Sequence, residues 1–131
     1  MLRKGDAVSP VRAHKEMLSF FKKVLFALGQ IVAAIVLLFA LVACYGFFAE
    51  RSAEKKSAAM CASIKPGQNS APLLDIALAD GASEFQSRWA KTDGVDALYI
   101  AYVGFTPLSR YVCLVQAKDG RVVSVREIYL D

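Results

Sequence analysis

The hydrophobic pattern starts with one long uninterrupted block and then breaks into short alternating runs. Between Lys23 and Glu50 the chain reads VLFALGQIVAAIVLLFALVACYGFFA, uncharged, with Gln30 as its only strongly polar side chain. A membrane-spanning helix needs roughly 20 apolar residues, whereas the apolar core of a secretory signal runs to about 7 to 15. The pattern therefore predicts a transmembrane helix over residues 24–49. The next stretch, ERSAEKKSAAMCA, consists of good helix formers and predicts a helical stalk over 50–62 that prolongs the span into water.

IKPGQNS ends that helix, because the residue before Pro66 is pushed out of the helical region and Gly67 permits a tight turn. A second helix is expected from an N-cap at Asn69 or Ser70, with Pro72 in its first turn. Leu73, Leu74, Ala77 and Leu78 form its apolar stripe, and Gly81 stops it. From there the period changes from helical to alternating. SEFQSRWAK predicts a first strand with Phe85 and Trp89 on one face, and TDGVD a hairpin turn. ALYIAYV and YVCLVQA predict the next two strands, joined by GFTPLSR. KDGR is a second hairpin turn, followed by a last strand, VVSVREIYL. The fold class is α+β: an N-terminal transmembrane helix, then a small domain over 63–131. In that domain one or two helices pack on a three- to four-stranded antiparallel β-meander.

Charge changes the picture only when it is divided along the chain. The net charge is +4, but residues 1–61 carry nine Lys or Arg against four Asp or Glu, and residues 62–131 carry seven against eight. The basicity belongs to the flanks of the apolar block, which argues against a nucleic-acid-binding domain. Arg3, Lys4, Arg12, Lys15, Lys22 and Lys23 precede the span; Arg51, Lys55, Lys56 and Lys65 follow it more sparsely. The positive-inside rule then makes residues 1–23 a basic cytoplasmic tail and puts the C-terminal domain outside the cytoplasm, here the periplasm. The expected location is the inner membrane.

The three cysteines separate by position. Leu41-Val42-Ala43-Cys44 matches a lipobox, in which a signal peptide is cut before Cys44 and that cysteine takes lipid; Met17 would then be a plausible start. Tyr45, Gly46, Phe47 and Phe48 carry the apolar run past the supposed cut, which favours an uncleaved anchor over an outer-membrane lipoprotein. A cysteine inside an apolar helix also packs as a small hydrophobe. Cys61 and Cys113 both fall in the part expected in an oxidising compartment, so a disulfide between them is favoured over two separately buried thiols.

Candidate chemistry is sparse. The only histidine, His14, precedes the span, so the domain holds no Ser-His or Cys-His pair and no histidine for a metal site. Asp93 and Asp96 around Gly94 fit turn chemistry better than a calcium loop. Asp75 and Asp80, five apart, do not share a helix face as an acid–base pair should. No Gly-rich phosphate loop follows a strand. The expectation is a protein without catalytic, cofactor-binding or metal-binding residues and without a small-molecule substrate. Trp89 reads as core rather than as a partner-binding anchor. GFTPLSRY places Phe105, Pro107 and Leu108 beside Arg110 in an unusually apolar link, open equally to partner binding and to folding back over the sheet edge.

The order of features resembles the BamE/SmpA-like envelope lipoproteins over about residues 60–130. The likeness rests on a targeting segment, a helix ending in CASIKPGQ, a short helix ending in Gly, and DGRVVSV in the last hairpin. The resemblance implies a non-enzymatic part in outer-membrane protein assembly or envelope maintenance, acting through protein contacts. The chain is thus expected to be a single-pass membrane protein whose partners are the bilayer and an envelope protein that its periplasmic domain binds or scaffolds. The alternative is a membrane-tethered inhibitor or immunity protein against an extracytoplasmic enzyme or toxin.

Overall fold

A computed structural model of the chain describes residues 10–130, with side chains from His14 onward. Arg3 and Lys4 of the basic tail, and the side chain of Arg12, lie outside the described residues. The elements are α1 (Pro10–Ser63), α2 (Leu73–Ala79), β1 (Arg88–Thr92), β2 (Val95–Val103), β3 (Arg110–Lys118) and β4 (Arg121–Leu130). The four strands form one antiparallel sheet in the order β1-β2-β3-β4, a meander.

The apolar block and the stalk are one unbroken helix, and α1 is long and apolar enough to cross a membrane. It starts inside the basic tail, at Pro10, because a proline at the first helical position gives up only an amide that had no partner. The chain divides into two compact units after Val42. In the first, Met17 to Val42 present their large apolar side chains outward: Phe26 and Phe39 are 70% and 71% exposed. In the second, which runs from Ala43, the same helix buries one stripe.

That stripe is Gly46, Glu50, Ala53, Ser57, Met60 and Ile64, spaced alternately four and three residues apart. Ala53, Met60 and Ile64 join the core with Leu73 and Ala77 of α2. Opposite them stand Leu98, Ile100 and Tyr102 of β2, Cys113 and Val115 of β3 and Val122 of β4. Successive strand side chains alternate between faces, so these residues share one face of the sheet. The core cluster contains none of the residues of the other face.

Both hairpin turns match the expectation and its physical reason. Asp93 and Gly94 have φ of 49° and 79°, and Asp119 and Gly120 have 52° and 75°. Left-handed φ at both central residues is the turn whose twist suits antiparallel strands, and Asp-Gly tolerates it. The third and fourth strands pair through a bulge at Gln116/Ala117.

Two expectations need correction. The first strand does not begin at Ser83. The Ser83 carbonyl accepts hydrogen bonds from the amides of Gln86 and Ser87, which turns the chain there, and β1 starts only at Arg88. Phe85 sits on that turn, 95% exposed, and shares no strand face with Trp89. The second helix starts at Leu73, with Pro72 in the N-cap position and no side-chain cap. Asn69 closes a local turn onto the Ala71 amide at 3.1 Å, and Asn69 also pairs with Arg121 as a bridge beside β4. The KPGQNS segment is therefore used twice, as a helix stop and as a fragment of sheet edge. Gly67 holds φ of 87°, donates to the Val122 carbonyl at 2.7 Å and accepts from Arg121 Nη1 at 3.0 Å.

Cys61 and Cys113 are disulfide-bonded, with Cα atoms 5.5 Å apart. The bond fastens the last turn of α1 to the centre of the sheet. At the other end of α2, the Tyr102 hydroxyl donates to Asp80 at 2.8 Å, and Lys56 Nζ donates to the Asp80 carbonyl at 3.2 Å. Burial, then the hydrogen bond and charge of Asp80, push the Tyr102 phenol well above its ordinary range. Asp80 thus joins both helices to β2.

Candidate interaction surface

Phe105, Pro107, Leu108 and Arg110 belong to two neighbouring surfaces. The first is the loop Gly104–Ser109 between β2 and β3. It is fixed to α1 by Glu50, whose Oε1 accepts from the Phe105 amide at 2.9 Å and whose Oε2 accepts from the Ser109 hydroxyl at 2.7 Å. The carboxylate fills the space beside Gly104, where a Cβ would collide with it. The Ser109 hydroxyl and the Phe105 amide hold the Glu50 carboxyl below its ordinary value of 4.5; burial opposes them and the Tyr111 hydroxyl assists. Burial, followed by the bond to Glu50, pushes the Tyr111 phenol up in return.

Below the carboxylate, the Phe105 ring lies on Gly46, close enough that a Cβ there would sit 3.2 Å from Phe105 Cγ. Tyr45 meets the same ring edge-on, with centroids 6.1 Å apart. The loop neither folds over the sheet edge nor stands free, because one anionic side chain and one missing Cβ on α1 seat it. Phe105 remains 44% exposed and Leu108 72% exposed.

The second surface is the sheet face turned away from the core. The register aligns Arg88, Tyr99, Leu114 and Arg126 in one row across the four strands. Val103, Arg110 and Leu130 form another row. Ala97, Ala101, Val112 and Leu114 make a buried floor on this face, although the core cluster contains none of them. At one end the face forms a cavity of about 260 Å³ lined by Gln86, Arg88, Tyr99, Ala101, Arg110 and Val112, with Leu130 at its edge. Arg110 Nε and Gln86 Oε1 are buried there without hydrogen-bond partners. A buried donor left unpaired costs about 1–3 kcal/mol, more when charged. No strand position on this face carries an Asp or Glu; the acidic strand residues Asp96 and Glu127 pair with Ala117 and Cys113 on the opposite face.

Of the sequence-predicted residues, the structure groups Phe105, Pro107 and Leu108 on the loop and puts Arg110 on the sheet face. Cys44 is exposed on α1 and unpaired, and the helix continues past it. Trp89 packs, half-buried, at the margin of the core and lines a cavity of about 430 Å³ with Ser70, Ala71, Lys91 and Asp96. Sequence reading missed Arg88, Arg126, Tyr99, Gln86 and Glu50. Alternation places Arg88 opposite Trp89, but which arginines share a row depends on the register across a six-residue loop. Comparison with family models, curated proteins and solved structures gives no match for this chain.

Proposed function

We propose that this chain is a non-enzymatic, single-pass membrane protein of the cell envelope whose small domain binds an envelope protein through the outer sheet face. The N-terminus lies in the cytoplasm and the domain in the periplasm, as the basic residues before the span favour. Cys44 stays within an uncleaved helix, a reading supported by the unbroken course of α1 to Ser63. The likeness to BamE/SmpA-like lipoproteins belongs to this proposal at the level of element order and of action through protein contacts.

One observation carries the binding reading: Arg110, whose buried Nε has no hydrogen-bond partner, lines a cavity with Ala101 and Val112 on a face where Arg88 and Arg126 also lie and no strand position is acidic. Guanidinium groups recognise carboxylates in fixed two-pronged geometry, and arginines beside aromatic side chains often dominate interface energetics. The partner surface is therefore acidic, with an apolar segment that fits over Ala101 and Val112.

Chemical cross-linking in intact membranes, followed by pull-down of the full chain, tests this. Arg110→Ala should lower recovery of a specific partner by about tenfold, equivalent to about 1.4 kcal/mol. Lys91→Ala, opposite Asp96 on the other sheet face, should leave it unchanged. Equal recovery with both variants, or no stable partner at all, sinks the reading.

A further inference from the structure

We propose that the loop Gly104–Ser109 is a second membrane contact, with Phe105, Pro107 and Leu108 entering the interfacial layer of the bilayer on the domain's side. This rests on the reading of α1 as a membrane anchor.

Counted from Val24, the roughly 20 residues that a bilayer requires are used up near Cys44. Tyr45, Phe47 and Phe48 then fall at the level where aromatic side chains collect between hydrocarbon and water. Phe105 is held at that level by Gly46 and Tyr45. Glu50, the first charge after the apolar block, seats the loop backbone one turn further along the helix. A loop at this height meets lipid, and its tip is apolar.

Part of the loop backbone suits that surrounding. Polar groups entering an apolar layer must be satisfied internally. The Gly104 amide bonds to the Ser109 carbonyl at 2.8 Å, and the Ser109 amide to the Thr106 carbonyl at 3.1 Å. The Phe105 amide is taken by Glu50, and Pro107 has no amide hydrogen. The Pro107 carbonyl accepts from Gln86 Nε2 at 3.5 Å, which ties in the turn carrying the fully exposed Phe85. Exposed apolar side chains concentrated on a hydrogen-bonded loop mark a surface that leaves water.

The test uses the full chain in vesicles of phosphatidylethanolamine and phosphatidylglycerol, with tryptophan emission quenched by brominated lipids. In a Trp89→Phe background, Phe105→Trp and Leu108→Trp each report on the loop. Ile35→Trp reports on the span, and Val123→Trp, next to the far hairpin, reports whether an exposed tryptophan seeks lipid by itself. Two loop positions guard against one variant failing to fold. The expected result is at least about twofold loss of emission at 105 and 108 with lipids brominated near the headgroup, strong quenching at 35 with lipids brominated deep in the chain, and none at 123. Quenching at 35 without quenching at 105 and 108 overturns the loop contact and leaves the anchor standing. Equal quenching at 108 and 123 also overturns it. No quenching at 35 removes the anchor and the loop contact together.

Discussion

Ser57 shows how closely α1 lies on the sheet. Its side chain is fully buried and its hydroxyl has no hydrogen-bond partner, so the position needs a small volume rather than a polar group. Ser57→Ala should be neutral or stabilising by up to about 1 kcal/mol, because it removes an uncompensated buried hydroxyl and improves helix propensity. Ser57→Leu should cost about 1–3 kcal/mol by overpacking. Thermal unfolding of the detergent-solubilised full chain, followed by circular dichroism, separates the two; destabilisation by Ser57→Ala would mean that the hydroxyl is bonded after all. Gly46 makes the same point for the Phe105 ring. Neither role can be read from composition, where both residues pass as ordinary members of an apolar or a polar helix segment.

Among the elements, the loop–helix latch is the one with a pH signature. The folded-state value of Glu50 lies below its ordinary 4.5, so the ionised latch contributes stability that is fully present above that value. That contribution fades as pH falls from there through the lower folded value. Glu50→Gln should lower the Tm at pH 7, and the gap from the unsubstituted chain should narrow steadily below about pH 4.5. A gap that stays constant from pH 7 to pH 3 contradicts the latch. The elements differ in how far they can be read in advance. The two Asp-Gly hairpins are legible because the turn chemistry is local, and the apolar stripe of α2 is legible because its period is helical. The start of β1 is not, since the Ser83 amide donates to the Ala101 carbonyl, and Ser87 Oγ accepts from the Ala101 amide, across the sheet. The latch itself joins Glu50 to Ser109, residues 59 apart, by hydrogen bonds that no periodicity announces.

For the whole molecule, the disulfide decides whether stalk and sheet behave as one piece. It closes a loop of 52 residues, which chain-entropy arguments value at about 4 kcal/mol. Thiol titration of the unreduced, denatured chain should find one reactive thiol, that of Cys44. The double variant Cys61→Ser, Cys113→Ser should melt about 10–20 °C lower. Three thiols, or an unchanged Tm, would contradict the bond. The pairing of the cysteines can be anticipated from sequence, whereas the arginines' common face cannot. Arg88, Arg110 and Arg126 are scattered along the chain and come onto one sheet face only through register. Their net charge disappears into a near-neutral domain total, which is why a basic face went unread while a basic tail stood out.

The spacing of the two bonded cysteines also has a bearing on biosynthesis. In the proposed topology, a chain delivered N-terminus first presents Cys61 on the far side of the membrane before Cys113 arrives, with the first two strands of the sheet still to follow. Until then the stalk has no covalent cross-link to the sheet. In that topology the bond closes only once the third strand, which carries Cys113, has been delivered. A chain stalled before that strand would expose a lone thiol at the end of α1, a chemical mark by which an unfinished copy differs from a finished one.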